Sequence, residues 1–235
     1  MTLEETMSIL AAKGNAATKR TYMRHGAPEP LFGVRIGDLK PVQKLIKGDQ
    51  NLAMQLYATG NSDAMYLAGL VANGGRMPRA LLNRWAKQAT WHLISGCTVP
   101  WVASEHPQGF EIAMKWIEAS EERVAVSGWS TLAAILAVTP DDELPIREIA
   151  SLLTRVAKTI RSSPNRVRYA MNNFVICCGT YVAPLAGKAL AVAGEIGPVD
   201  VDMGNTDCQV PDAVSSIHKS RRGLPVAPKR KTTRC

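Results

Sequence analysis

The chain has 235 residues, of which 46% are apolar and 20% are charged, as expected of a soluble globular protein with a sizeable core. No apolar run reaches the ~18–20 residues that span a bilayer, and the polar start MTLEETMSILAAK is unlike a signal peptide. Five cysteines, two of them adjacent, make a poor disulfide framework. We therefore expect one large or two small domains, reduced thiols and a cytoplasmic protein without a membrane segment.

The net charge of +8 is concentrated at the C-terminus. From Lys219 onward the chain carries seven basic residues and no acid, so that 21 basic residues face 20 acidic ones in the rest. Any nucleic-acid binding by the body must therefore come from a local patch. Basic tails are usually solvated arms. The tail either reaches DNA phosphates, through Lys229, Arg230 and Lys231 in particular, or is only a solubilising end.

Helical periodicity dominates from the first residues onward. The segment LEETMSILAAK begins like a capping box, and RIGDLKPVQKLIKG places Leu39, Val42, Leu45 and Ile46 on one face. The later helical segments are NLAMQLYATG, SDAMYLAGLVANGG, MPRALLNRWAKQA, PQGFEIAMKWIEAS, EERVAVSGWSTLAAILAV, DDELPIREIASLLTRVAKTI, NRVRYAMNNFVICCGTYV and APLAGKALAVAGEIG. Alternation at period two is brief, in PVDVDMG, so the sequence predicts an all-α protein.

The helices also repeat. Buried-looking helices with polar starts occur at ERVAVSGWSTLAAIL and NRVRYAMNNFVICC, roughly 40 residues apart, which is typical of HEAT-type helix pairs. We predict a curved α-solenoid of HEAT-like helix pairs over residues 1–206. Residues 207–235 are then a C-terminal extension with a short helix and the basic tail. A compact helical bundle is the alternative architecture.

Four segments in order resemble the DNA alkylation repair family. They are TYMRHG with PLFGVRIGDLKPV, then TWHLIS, GWSTLAAIL and VRYAMNNFVI, and the resemblance covers about residues 15–195. The best-known members are HEAT-like-repeat alkylpurine DNA glycosylases of the AlkD type. The resemblance implies DNA as the partner. No cysteine–histidine spacing indicates zinc and no glycine-rich phosphate loop is present, so we expect no metal or cofactor.

The family's catalytic residues are only partly matched. The resemblance implies that Tyr22 and Trp91 are the aromatic residues of the DNA groove. The two acids of the family's central motif fall on His92 and Ser95, and its arginine falls on Leu132. Serine cannot supply the negative charge that stabilises a cationic sugar, and leucine holds no phosphate. Core packing is the alternative role for Trp91, and a half-exposed helix position is the alternative for His92.

Polar residues of SSPNRVRYAMNN could line the same groove. Arg161, Arg166 and Arg168 with Asn172 and Asn173 suit phosphates and base edges, although a solvated helix start is an equal alternative. The family's last tryptophan falls near Asn173 or the phenylalanine that follows it.

Three functions remain open from the sequence. The favoured one is a monomeric DNA-binding protein of the repair type that recognises DNA structure through backbone contacts, with little or no glycosylase activity. The alternatives are an active alkylpurine DNA glycosylase with relocated catalytic groups, for which Glu105 is a candidate, and a protein-binding solenoid.

Overall fold

The computed structural model describes residues 1–234, and within that range it holds thirteen α-helices and no β-strand. The helices are α1 Leu3–Ala12, α2 Ala16–Arg24, α3 Ile36–Leu45, α4 Gln50–Ala58, α5 Ser62–Val71, α6 Arg79–Gln88, α7 Val99–Ala103, α8 Gly109–Trp116, α9 Glu122–Val138, α10 Ile146–Thr159, α11 Asn165–Tyr181, α12 Ala186–Ile196 and α13 Ala213–Arg221. The all-α prediction is confirmed.

The helices pack as consecutive pairs, α4 with α5, α6 with α7, α8 with α9, α10 with α11 and α12 with α13. The second members, α5, α7, α9, α11 and α13, also contact one another in that order, and we call them the inner row. Gly128 shows how close the pairing is, because a Cβ there would lie 2.7 Å from the Ile117 nitrogen. Continuous stacking of helix pairs is the predicted solenoid rather than a compact bundle.

The amphipathic face of α3 is one residue narrower than predicted. Leu39, Val42 and Ile46 are buried, whereas Leu45 is 69% exposed. At 100° per residue, Leu45 lies about 90° from the mean direction of Leu39 and Val42, so it points to solvent.

No single helix within residues 1–234 has the length and apolar character to cross a membrane. The bent pair Asn165–Tyr181 and Ala183–Ile196, with 115° between its helices, passes that test by length and composition.

Asp63, in the first turn of α5, fastens the N-terminal part of the chain to the solenoid. Its carboxylate is 4% exposed and accepts backbone N–H groups of Phe32, Gly33 and Val34 at 2.6, 3.0 and 2.8 Å. Gly33 has a φ of +78°, and a Cβ there would lie 2.5 Å from the Lys19 nitrogen, so only glycine fits. The side chain of Asn61 caps α5, which leaves Asp63 to hold the distant loop.

We expect Asp63→Ala to lower the free energy of unfolding by roughly 3–5 kcal/mol, because three N–H groups lose their acceptor at about 1–3 kcal/mol each. Urea denaturation followed by circular dichroism measures this. Asp38→Ala, at an exposed first-turn position of α3, is the matched control and should cost less than about 1 kcal/mol. Equal losses for the two variants would show that the loop is held by other contacts.

The C-terminal segment is folded against the body, so the expectation of a solvated arm is wrong. Arg221, Lys229 and Arg234 each donate a hydrogen bond to a carbonyl in the last turn of an inner-row helix, at 2.9, 2.9 and 3.0 Å. The acceptors are Gly179 of α11, Leu136 of α9 and Gly69 of α5. Cations are favourable at the negative end of a helix, which explains why a basic segment takes this path.

Two of the basic residues in this segment are also paired with acids. Lys229 lies 2.8 Å from Asp141, and Arg234 forms a bidentate pair with Glu105. Lys229 is therefore withdrawn from the DNA-binding set, because its charge is already neutralised inside the fold. The predicted boundary at residue 206 stays a prediction, although Ile217 of α13 is fully buried in the same core cluster as α11.

Arg234→Ala should lower the free energy of unfolding by roughly 2–4 kcal/mol, since it removes a largely buried guanidinium and leaves helix carbonyls and Glu105 without their donor. Thermal unfolding measures the loss. Lys231→Ala, three residues earlier and exposed, should change stability by at most about 0.5 kcal/mol. A tail that merely solvates the protein would make the two variants indistinguishable.

Candidate nucleic-acid interface

A widened helical turn carries the central motif of the sequence. Residues Ile94–Thr98 form a π-helical turn in which the Val99 N–H donates to the Ile94 carbonyl, five residues back. Pro100 explains the turn, because proline has no N–H and its ring would clash with the Gly96 carbonyl in a regular α-helix. The turn places Gly96 and Cys97 beside residues of α9 and α11 on one side of the inner row. We call this side the groove.

Tyr22 and Trp91 lie together, as predicted. Their ring centroids are 5.6 Å apart at an angle of 44°, and the Tyr22 hydroxyl donates to the Val34 carbonyl at 3.0 Å. The pair therefore depends on the loop that Asp63 holds. Trp91 is only 9% exposed, so packing accounts for most of its surface, and its Nε1 has no hydrogen-bond partner among residues 1–234.

His92 stands beside this pair without carrying a charge. Burial is the main cause that lowers its pKa to about 4, and the positive charge of Arg166 and the neighbouring His25 act in the same direction. Its ring meets the Trp91 ring edge to face at a centroid distance of 5.0 Å. Where the resemblance implies an acid, this position therefore supplies a neutral imidazole at neutral pH.

Ser95 and Leu132, which align with a catalytic acid and an arginine, are both buried. Ser95 is 2% exposed and its hydroxyl donates to the Trp91 carbonyl at 3.3 Å. Leu132 is 1% exposed and belongs to the core of α9. An arginine at position 132 would bury an unpaired charge, so this alignment does not identify a groove position.

The polar residues of α11 divide between two faces. Arg166 and Asn173, seven residues apart, line the groove. Asn172 is 1% exposed and its amide donates to the Pro211 carbonyl at 2.8 Å, so it is removed from the DNA-binding set. Arg168 lies on the face of Asn172, four residues away, and donates to the Asn165 side chain at 3.2 Å. Arg161 is exposed in the turn before the helix.

The groove holds a recess of about 310 Å³ that we call the central recess. Its lining includes His92, Cys97, Ser130, Arg166, Tyr169, Asn173 and Met203. No aspartate or glutamate among the described residues lines it, and Arg166 is its one basic side chain. Such a surface attracts anions and gives no stabilisation to a developing cation.

Comparison with known proteins agrees with this geometry. The model of the family of DNA alkylation repair enzymes matches residues 3–199.

The chain belongs to the DNA alkylation repair enzyme family. It is 33% identical over 228 residues to the uncharacterized protein Lin0241 of Listeria innocua and to the uncharacterized protein Lmo0209 of Listeria monocytogenes. Each match covers 94% of this chain and 98% of the relative. A solved structure shares 37% identity and a TM-score of 0.91 over 100% of both chains. It is described as a new family of proteins related to the HEAT-like repeat DNA glycosylases, with affinity for branched DNA structures.

Within this DNA alkylation repair protein, two carboxylates near the motif have different surroundings. Glu105, the candidate from the sequence, lies at the opposite edge, where it accepts the Gly74 N–H at 2.9 Å and pairs with Arg234. Glu122 was missed, because an acid in the first turn of a helix is ordinary. It lines a recess of about 420 Å³ next to Trp91, His92 and Ser95, which we call the edge recess.

Stability should fall as the pH is lowered from about 6.5 to 4, because the His92 imidazole takes up a proton near 6.5 when unfolded and only near 4 when folded. His92→Gln should flatten this part of the profile. Thermal unfolding between pH 4 and 8 measures it, with His218→Gln on the exposed side of α13 as the control. An unchanged profile in His92→Gln would assign the pH dependence to other groups.

Proposed function

We propose that this protein binds branched DNA in the groove of the inner row, as a monomer, through contacts made mainly to the sugar–phosphate backbone. The observation that carries the proposal is the acid-free, Arg166-bearing central recess in a chain that shares 37% identity over its full length with a protein of branched-DNA affinity. The proposed contacts are Arg161, Arg166, Asn173, Arg230 and Lys231, and the Tyr22–Trp91 pair shapes the groove beside them.

Excision of an alkylated purine is not supported by the same geometry. Breaking the glycosidic bond of a cationic base builds positive charge on the sugar, and the family's pattern supplies a carboxylate for it. Here the aligned position is the buried Ser95, and the central recess has no acid. We propose that excision is slow or absent.

One observation favours the alternative of a relocated catalytic group. Glu122 lines the edge recess with Trp91 and Arg166, and one of its oxygens accepts the Arg166 backbone N–H at 2.6 Å. Its carboxylate is thus engaged at a helix start, where its charge already has a favourable partner. A protein-binding solenoid is less well supported, because a central recess with an arginine and no acid favours an anionic ligand.

Binding to a three-way DNA junction should be tighter than to a linear duplex of the same length and should weaken steeply with salt. Arg166→Gln should reduce affinity for every sequence and lower the salt slope by roughly 0.7–0.9 per lost phosphate contact. Arg147→Gln, on an exposed position of α10, is the matched control and should leave the slope unchanged. Fluorescence anisotropy with labelled DNA measures both. Failure of the full chain to bind any junction at low salt would overturn the proposal.

Release of 7-methylguanine or 3-methyladenine from methylated DNA should be at least roughly 10²–10³-fold slower than for an enzyme that has the carboxylate. Chromatography of the released bases measures it in a single-turnover reaction. Robust release would favour the alternative function. Glu122→Gln, with Glu118→Gln on an exposed position as control, would then identify the carboxylate responsible.

A further inference from the structure

The tail creates a second recess where it crosses the end of the groove. This cleft, which we call the tail recess, measures about 360 Å³ and lies between the inner row and the C-terminal segment. Its lining includes Trp101, Ser130, Asn173, Thr180, Tyr181 and Arg230. Because Arg230 belongs to the tail, the cleft exists only while the tail is folded against the helices.

Arg230 is held by its backbone and has a free cationic side chain. Its N–H donates to the Ala137 carbonyl at 2.7 Å, which fixes the residue at the end of α9. Its guanidinium forms no ion pair with any of the residues 1–234. It lines the tail recess together with Cys177 and Tyr181, and its positive charge opposes the rise that burial causes in the pKa of both side chains. Lys229 and Arg234, by contrast, are paired with acids.

Thr180 supplies a second unused polar group. The residue is 1% exposed and lines the tail recess, and its hydroxyl has no hydrogen-bond partner in the described part of the chain. Its backbone carbonyl is engaged, because it accepts the Ala227 N–H of the tail at 2.8 Å. Buried hydroxyls are normally paired, so an unpaired one in a residue that lines a cleft is a candidate partner for a ligand there.

The remaining lining defines the class of ligand. No carboxylate of residues 1–234 faces the cleft, so a cationic ligand finds no partner. One guanidinium with the hydroxyls of Ser130 and Thr180 suits phosphate oxygens. Trp101 and Tyr181 add aromatic surface, against which bases pack. A cleft of this volume takes a single small ligand and is too small for a duplex.

The tail recess adjoins the central recess. The two share Gly96, Cys97, Ser130 and Asn173 in their lining. Arg166 lies in the central recess and Arg230 in the tail recess, which places one cation in each part of the path. A single DNA strand in the groove can therefore extend from one to the other.

We propose that the tail recess binds one unpaired nucleotide of a DNA strand, with Arg230 and Thr180 on its phosphate and Trp101 and Tyr181 beside its base and sugar. This inference rests on the proposed function, because the strand enters from the groove. It assigns to the protein a preference among branched structures: the branch points that contain unpaired nucleotides bind more tightly than those in which every base is paired.

The test compares two three-way junctions that differ only in two unpaired nucleotides at the branch point, one of which is 2-aminopurine. Fluorescence anisotropy gives the dissociation constant for each, and 2-aminopurine emission reports the environment of the unpaired base. The full-length protein should prefer the junction with unpaired nucleotides by roughly tenfold, as one stacked base allows, and should change the 2-aminopurine emission.

Arg230→Gln and Thr180→Val should each reduce this preference towards one, whereas Lys231→Gln should weaken binding to both junctions by the same factor. Thr180→Val keeps the side-chain shape and removes a hydroxyl without a partner, so its melting temperature should match that of the unmodified protein. Thermal unfolding of all three variants checks that each is folded.

Equal affinity of the unmodified protein for the two junctions, or an unchanged preference in folded Arg230→Gln, overturns the inference and leaves the proposed function intact. Absence of binding to both junctions overturns the proposed function as well. Competition by deoxynucleoside 5′-monophosphates separates the two sources of the ligand. If millimolar monophosphate abolishes only the preference for unpaired nucleotides, the site is supported. If monophosphate binds as tightly as the junction does, the assignment of the site to a DNA strand is overturned.

Discussion

The inner-row helices end along one edge of the solenoid, and the C-terminal segment binds their carbonyl ends. A helix C-terminus carries partial negative charge and unpaired carbonyls, so cations are favourable there. Arg221, Lys229 and Arg234 occupy three such ends in turn, on α11, α9 and α5. Since one continuous segment contacts helices of the first, third and fourth pairs, a change in curvature would strain these bonds. The width of the groove and the existence of the tail recess both depend on them.

These contacts of the C-terminal segment change what the net charge of +8 implies for DNA binding. A chain with a charge of +8 and a basic end suggests a mobile arm that finds DNA by long-range attraction. Two of the seven basic residues of that segment are instead paired inside the fold, where Lys229 contacts Asp141 and Arg234 contacts Glu105. Arg166 and Arg230 form no ion pair among the described residues, and they line the central and tail recesses. In the proposed function, DNA affinity comes from a few placed cations, which suits recognition of a DNA shape better than general attraction to duplex DNA.

The sequence predicted the fold well because helix periodicity and repeat spacing are local signals. The all-α class and the helix pairs follow from them, and the resemblance located the contact of Tyr22 with Trp91. Which side of each helix faces the core was harder to predict. Asn172 and Asn173 are adjacent in sequence, yet one is buried against Pro211 and the other lines the groove. A shift of 100° decides between them, and no property of either amide reveals it.

Other features could not be read from the sequence at all. The tail has no hydrophobic period, and its path is set by carbonyls that become available only when distant helices end side by side. The low pKa of His92 arises from burial and from Arg166, which lies 74 residues away in sequence. The sequence analysis named Glu105 as a candidate and missed Glu122, although both are exposed acids. Only tertiary contacts show that Glu105 pairs with Arg234, whereas Glu122 lines the edge recess.

The resemblance implies that Ser95 stands where the family has its catalytic acid while the aromatic pair is retained, and packing explains the difference. Trp91 packs against Tyr22, and Tyr22 is bonded to the loop that Asp63 holds, so this pair stabilises the N-terminal half whether or not DNA is present. An acid at position 95 would have no comparable structural role. In an enzyme, binding energy accelerates the reaction only where it is larger in the transition state than in the ground state. In the proposed function, a groove without that acid directs its cations to the phosphates of bound DNA, which are charged throughout, so that its interactions serve binding rather than bond cleavage.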